Sequence, residues 1–308
     1  MLTNEYALLT HKNCPDGSAC CIVFTMFGGT RENVFFSNPG HGETDESLKE
    51  IIEKGFKKIL IADVSISLKF AEEISKEKDL EIVLLDHHKT AFPLKKLSWC
   101  LVDDQNNECG SKLLFNFLKK QFSGVIVSQN DEKYIDYVDD FDRWIKNYQE
   151  GDNLAAMHGF YNQKTFIDRF INRKNKSELN DHEKWLLELE QEKMKEEALE
   201  KKKQVKNNIL TKELQGKMRR IGFVSGAKYI STTGNALCED PELNLDAVVL
   251  VGGNSISLRG SAMSDFDCSL ISKHFGGGGH MKASGLSTSA ILGNHLLQLV
   301  FEKINSLS

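Results

Sequence analysis

The chain has no apolar run approaching the ~20 residues that a bilayer-spanning helix requires. Met1-Leu2-Thr3-Asn4-Glu5 also lacks the basic stretch followed by an apolar core that marks a secretory leader. A cytoplasmic protein is therefore expected. Positive charge is not in excess either: 39 Lys and Arg stand against 44 Asp and Glu, a formal net charge of -5. A general duplex-DNA binder normally presents an overall basic surface, so that class is disfavoured. A small phosphorylated ligand held by a local basic pocket stays compatible with this balance. The seven cysteines (Cys14, Cys20, Cys21, Cys100, Cys109, Cys238 and Cys268) are odd in number and scattered, without a Cys-x-x-Cys pair. Neither a disulfide framework nor a structural zinc module is indicated. No internal repeat stands out.

What is present is an ordinary globular composition, 40% hydrophobic and 27% charged over 308 residues, about two domains' worth. Residues 1–150 alternate short apolar runs with helical patterns. Strands are expected at Tyr6 to Thr10, Asn33 to Ser37, Lys58 to Ala62 and Glu81 to Leu85. Helices are expected at about 18–27, 45–54, 68–78, 109–122 and 130–147, with Phe141 and Trp144 as packing residues. This alternation predicts a mainly parallel sheet flanked by helices. From His182 to Lys206 there are seven Lys and seven Glu, with no Pro or Gly. That composition predicts a long, solvent-exposed connecting helix from about 180 to 212, within a charged helical linker over 151–215. Residues 216–308 resume strand-like runs at Arg220 to Val224, Asp246 to Val251 and Ser255 to Arg259, with a final helix from about Ser289 to Lys303. They predict a smaller α/β domain, with a cleft between the two lobes.

Chemistry-bearing residues gather at strand ends in the first half: His11 with Asp16, Asp63 after Ile59-Leu-Ile-Ala62, Asp86-His87-His88, and Asp139-Asp140-Phe141-Asp142. The carboxyl edge of an open α/β sheet is where such folds place their sites. Adjacent histidines on an extended backbone point to opposite faces, so only one of His87 and His88 is expected to share a metal with Asp86. Converging carboxylates repel and are costly to desolvate, and divalent metal removes that conflict. Carboxylates mixed with imidazoles suit manganese, iron or zinc, and a pair of such ions is a recurrent phosphodiester-cleaving device.

Taken together, Thr10-His-Lys-Asn-Cys-Pro-Asp-Gly17, Ala62-Asp63, Leu85-Asp-His-His88, Asp140-Phe-Asp-Arg-Trp144 and Gly276-Gly-Gly-Gly-His-Met-Lys-Ala-Ser-Gly285 resemble the DHH phosphoesterase superfamily. More narrowly they resemble its bacterial members with a DHH-associated C-terminal domain, which include the nano-RNases. The five motifs occur in the expected order and cover both ends of the chain, failing only in the charged middle. The resemblance implies a catalytic domain over 1–150 and a substrate-binding domain over 216–308. It implies that Asp16, Asp63, His87 and Asp142 ligate one Mn2+, with Asp63 bridging to a second ion held by His11. Asp86 is then expected to orient His87 or nearby groups, and His88 to lie near the substrate phosphate, where water activated by the ions attacks phosphorus.

One departure is Cys14. Many relatives hold Asp-x-Asp where this chain has Cys14-Pro15-Asp16, and a thiolate is a softer ligand, less suited to manganese. Cys14 is thus either a ligand to the second ion or a packing residue. In the second domain, a glycine run is usually a linker, but side-chain-free NH groups also approach phosphate or ribose closely. The resemblance gives Gly277, Gly278, Gly279 and His280 to the nucleotide beyond the scissile bond and Arg259 to a phosphate. Ser231-Thr-Thr-Gly234-Asn235 resembles a further nano-RNase stretch, and Lys282 is read as solvated. The expected substrate is a short single-stranded oligonucleotide or linear dinucleotide, cleaved to mononucleotides, with no membrane partner and with a homodimer left open. Alternatives within the superfamily are hydrolysis of cyclic dinucleotides or of 3′-phosphoadenosine 5′-phosphate. An alternative of another class is a nucleotide-binding regulator whose metal site has degenerated at Cys14.

Overall fold

A computed structural model describes residues 1–38, 40–253 and 255–288; the helix expected at 289–303 lies outside them. The chain divides into two compact units, Met1–Leu187 and Glu188–Ser308.

In the first unit, β1 (Tyr6–His11), β2 (Val34–Ser37), β3 (Lys58–Ala62), β4 (Glu81–Asp86) and β5 (Cys100–Val102) form one sheet, ordered β2-β1-β3-β4-β5. Every pairing in it is parallel. The strands read as unbroken apolar runs because both faces are covered. Leu8, Leu60, Ala62 and Leu85 enter one core, while Ala7, Leu9, Ile59, Ile61 and Leu84 enter the other. Helices α2 (His41–Glu53) and α3 (Leu68–Ile74) cover the second face. The first is covered by α1 (Pro15–Met26), α4 (Gly110–Gln121), α5 (Gln129–Asp142) and α6 (Gln149–Phe170). Helix α1 is buried all round from Asp16 to Phe24, as its apolar composition without a polar face requires. Chain order reverses at β1, which lies between β2 and β3. That switch point lies at the carboxyl ends of β1 and β3, the place where open α/β sheets hold ligands.

Three expectations need correction here. Trp144 is not buried in the core; it is 67% exposed and meets Phe141 and Lys146 at the surface, because the chain leaves α5 at Asp142 and Trp144 adopts φ 59°. Residues 151–187 are not a linker: α6 buries Leu154, Met157, Tyr161, Phe166, Ile167 and Phe170, and the first unit extends to Leu187. Charge patterning hid this, since α6 mixes polar and apolar residues without a strong stripe. The long helix, α7 (Asp181–Lys206), stops short of residue 212. Ile209–Leu214 forms β6, a hairpin with β7 (Lys217–Ser225). Gln215 and Gly216 between them both have positive φ, 54° and 74°, the geometry that matches strand twist in a two-residue hairpin.

Nor is α7 a uniformly solvated face. Glu183 is buried against Arg173, at 2.5 Å. Glu197 accepts from the Lys228 and Tyr229 NH groups and, at 2.6 Å, from the Thr233 hydroxyl, so it caps α8 (Ile230–Cys238). The second unit continues with β8 (Ala247–Val251), β9 (Ser255–Gly260), α9 (Cys268–His274), β10 (Gly278–Gly279) and β11 (Ala283–Ser287). Its sheet runs β10-β11-β9-β8-β7-β6. Among the described residues β7 and β8 pair in parallel and the remaining neighbours are antiparallel.

Candidate metal centre

Three strand ends at the carboxyl edge of the first sheet, with the end of one helix, bring the predicted ligands together. His11 ends β1, Asp16 sits in the first turn of α1, Asp63 follows β3, and Asp86-His87-His88 closes β4. Asp142 arrives from the last turn of α5. Ligand atoms of Asp16, His87 and Asp142 lie within 4.8 Å of one another, as do those of His11, Cys14 and Asp63, and those of Asp63, Asp86, His87 and His88.

Asp63 is the centre of the arrangement. Its Oδ2 is 3.4 Å from His11 Nδ1, and its Oδ1 is 3.6 Å from His87 Nε2 and 3.8 Å from His88 Nδ1. The two carboxylate oxygens thus face two different ligand groups. The residue has φ 62°, an uncommon conformation that Asp tolerates better than most. The start of α4 is pressed against it: a Cβ on Gly110 would lie 2.5 Å from the Asp63 Cβ.

Asp16 is fully buried, and its Oδ1 accepts from the Cys109 thiol and the Ser111 NH, both at 3.0 Å. One oxygen therefore caps the amino end of α4, and Oδ2 is left over. Of the cluster Asp139-Asp140-Phe141-Asp142, only Asp142 faces the site, 3.3 Å from His87 Nε2. Asp139 is occupied by Arg143, Lys112 and the Cys109 NH, and Asp140 by the NH groups of Asn147 and Tyr148.

The two histidines do not diverge; their rings are 4.4 Å apart. The strand ends at Asp86, so its alternation of faces no longer governs them. Asp86 supports His88 rather than the His87 ring: its Oδ1 accepts from His88 Nδ1 at 2.8 Å and from the NH groups of both histidines. The His87 ring is held instead at Nδ1 by Asn106 Oδ1, 3.3 Å away. Asn106, Cys109 and Ser111 were not legible as site residues, because a loop asparagine and a helix start carry no periodic signal.

Five buried ligand atoms have no hydrogen-bond partner: His11 Nδ1, Asp16 Oδ2, both oxygens of Asp63, and His87 Nε2. Buried polar atoms are nearly always satisfied, so such a group demands an explanation. A divalent cation supplies it, and the oxygen–nitrogen donor set fits manganese, iron or zinc.

Electrostatics point the same way. Burial pushes the Asp16 carboxyl well up, with the Asp63 and Asp142 charges adding to it. Asp142 is pushed up to about 6 by burial and then by Asp63. Burial would raise Asp63 too, but the His11 and His87 imidazoles beside it hold it low. Burial opposes protonation of His87 and His88, yet Asp63, Asp16 and Asp142 raise the first to about 10 and Asp86 the second to about 9. Without metal, protons therefore hold the cluster together. The stabilisation from the two histidinium ions is fully present below their ordinary pKa of 6.5 and lost as pH rises towards 9 to 10. The cost of ionising Asp142 sets in above 3.8 and is complete above about 6. Both trends make the metal-free protein less stable as pH rises, and a divalent ion replaces those protons. The melting-temperature gain from Mn2+ is thus expected to be larger near pH ~8.5 than near pH ~6; equal gains at both would contradict this.

In the second unit, Arg259 has no carboxylate partner among the described residues. Its guanidinium donates to Ser231 Oγ at 2.8 Å and to the Leu258 carbonyl. Gly234 on α8 makes room for it, since a Cβ there would lie 2.7 Å from Arg259 Cγ. The glycine run is built rather than loose. A Cβ on Gly277 would lie 2.2 Å from the Gly285 carbonyl oxygen, and Gly279 has φ 131°. Gly278 and Gly279 pair with Gly285 and Ser284. His280 is exposed and donates its NH to Ala283 O at 2.7 Å. Lys282 is not simply solvated: its Nζ donates to the carbonyls of Ser261 and Ser264.

No protein-family model matches the chain. The oligoribonuclease NrnB of Bacillus subtilis (strain 168) is 26% identical over 300 residues, spanning 92% of this chain and 72% of that protein. Among solved structures, a DHH domain described as a member of the s1p family of ribosomal proteins aligns with TM-score 0.55 and 13% identity. It covers 97% of this chain and 86% of its own. RecJ of Thermus thermophilus, solved in complex with Mn2+, aligns with TM-score 0.50 and 14% identity over 92% of this chain and 49% of its own.

Proposed function

We propose that the chain is a phosphoesterase of the DHH superfamily, a manganese-dependent phosphodiesterase acting on short oligonucleotides, which it hydrolyses to mononucleotides in the cytoplasm. The observation that carries this reading is the set of five unpartnered ligand atoms around Asp63.

Asp16, His87 and Asp142 would hold one ion, and His11 with Cys14 a second, Asp63 turning one oxygen towards each. When bound, the ions supply water activated near neutral pH and neutralise charge developing on the phosphoryl group. The chain's own groups do the rest. Asp86 fixes the His88 ring, whose side chain is 43% exposed, so it would offer an oriented imidazole to a substrate phosphate. Asn106 fixes the His87 ring through Nδ1, which leaves Nε2 for the site. In the second unit, Arg259 and the loop from Gly277 to His280 would offer a grip for a nucleotide phosphate. An uncompensated guanidinium suits a phosphate, and a single such grip favours short strands over long ones.

The deciding assay incubates the full chain with Mn2+ and a labelled RNA dinucleotide, beside cyclic dinucleotide, 3′-phosphoadenosine 5′-phosphate and longer single-stranded DNA. Mononucleotide release is expected to be fastest from the linear dinucleotide. No release from it while a control enzyme is active would refute the proposal; preference for another substrate would reassign it within the superfamily.

Cys14 decides how firmly the second ion is held. Burial and the carboxylates of Asp63, Asp16 and Asp142 push its thiol well up, so it offers a protonated, soft ligand until metal binds. Cys14→Asp is expected to strengthen one Mn2+ site by on the order of tenfold, about 1.4 kcal/mol, in calorimetric titration. Stoichiometry and affinity identical to wild type would remove Cys14 from the ligand set.

A further inference from the structure

The loop that carries His11 and Cys14 is gripped from a distance of 150 residues. Gln163, only 8% exposed on α6, uses both ends of its amide. Oε1 accepts the Asn13 NH at 3.0 Å, and Nε2 donates to the His11 carbonyl at 3.1 Å and to Ser18 Oγ at 3.2 Å. The backbone partners fix which end is which, because an NH must meet the oxygen and a carbonyl must meet the nitrogen. Ser18 Oγ, which receives the amide, lies 2.8 Å from His158 Nε2. Burial pushes His158 down to about 4, so its ring is neutral and shares one hydrogen bond with the hydroxyl. The five residues His11, Asn13, Ser18, His158 and Gln163 form one satisfied chain beneath the metal loop.

Backbone strain at both ends marks this contact as built. Immediately before Gln163, Asn162 interrupts α6 with φ 61° and ψ 164°, a region nearly reserved for glycine. The Asn162 side chain caps the helix that resumes, accepting the Thr165 NH at 3.1 Å. On the receiving side Asn13 also has positive φ, 56°. A straight α6 and a relaxed loop would avoid both distortions, and the Gln163 clamp is what they make possible.

We infer that Gln163 is a positioning residue for the metal centre: by holding His11 O and Asn13 N it sets where the His11 imidazole and the Cys14 thiol stand relative to Asp63. The inference rests on the metal-site reading above, and the test separates the two. Mn2+ affinity of the full chain is measured by electron paramagnetic resonance for wild type, Gln163→Met and Gln163→Glu near pH ~8, with amide exchange at Asn13 followed in metal-free protein. Loss of the clamp is expected to weaken Mn2+ binding about 10–100-fold and to remove protection of the Asn13 NH in Gln163→Met. Gln163→Glu keeps the volume and the Asn13 bond but sets an oxygen against the His11 carbonyl, so it too should bind Mn2+ more weakly. An added negative charge by itself would strengthen binding, so the sign of this change discriminates. A merely structural glutamine would lower the melting temperature and leave affinity alone. Affinity within twofold of wild type in Gln163→Met, or in Gln163→Glu where Gln163→Met does not fold, overturns the inference. Wild type that binds no Mn2+ overturns the site reading and this inference with it.

Discussion

Asp63→Asn is expected to lower phosphodiester hydrolysis by at least about three orders of magnitude at saturating Mn2+, with the fold intact. The magnitude follows from the several kcal/mol that bound metal contributes to stabilising a phosphoryl transition state, each ~1.4 kcal/mol being a factor of ten. Among the described residues Asp63 faces both ligand groups, with Oδ2 towards His11 and Oδ1 towards His87, so its loss is expected to weaken both proposed ion sites. Asparagine is the right replacement for isolating this effect. It matches the side chain in size against Gly110 and tolerates the φ of 62° that Asp63 adopts. His87 should respond as well: without the adjacent carboxylate its pKa must fall from about 10, which is readable by NMR titration. A loss of activity smaller than tenfold would show that Asp63 does not bridge.

The frame of this site was legible before the structure because its elements obey simple periodicities. Strands β1, β3 and β4 are continuous apolar runs, and their ends place His11, Asp63 and Asp86 at one edge by topology alone. What supports those ligands was not legible. Asn106 holds His87, Cys109 and Ser111 hold Asp16, and Gln163 holds the His11 loop; each reaches the site across a large sequence separation. Such contacts depend on how helices pack, which no local pattern encodes. The reading of His87 and His88 failed for a related reason: strand alternation was carried two residues past the point where pairing stops. In the charged middle, composition overrode topology. Seven Lys and seven Glu between His182 and Lys206 suggested a solvated spacer, whereas Glu183 and Glu197 are specific hydrogen-bonding partners. The Gln215-Gly216 turn that ends this region left only a single glycine as its signal.

Gly17→Ala should be the most damaging of the small substitutions in the first unit. In an open helix this change is worth up to about 1 kcal/mol of added stability. At position 17 a Cβ would lie 2.1 Å from the His11 carbonyl oxygen and 2.8 Å from its carbon, so something must move. The strand end cannot yield freely. Lys12 NH is bonded to the Ser37 carbonyl at 2.8 Å, and the Gln163 amide holds His11 O and Asn13 N. Either β1 is pushed off its register or the first turn of α1, with Asp16 in it, is displaced. Overpacking against backbone of this kind costs about 3 kcal/mol, or roughly 6–12 °C in the melting of a unit this size. Gly159→Ala on α6 is the matched comparison, because a Cβ there meets nothing within 4 Å; it should leave melting unchanged or raise it. The two substitutions share the same gain in helix propensity, so the difference between their melting temperatures isolates the contact with His11. If Gly17→Ala melts within about 2 °C of Gly159→Ala, the carbonyl of His11 is free to move and the metal loop is softer than its hydrogen bonds imply.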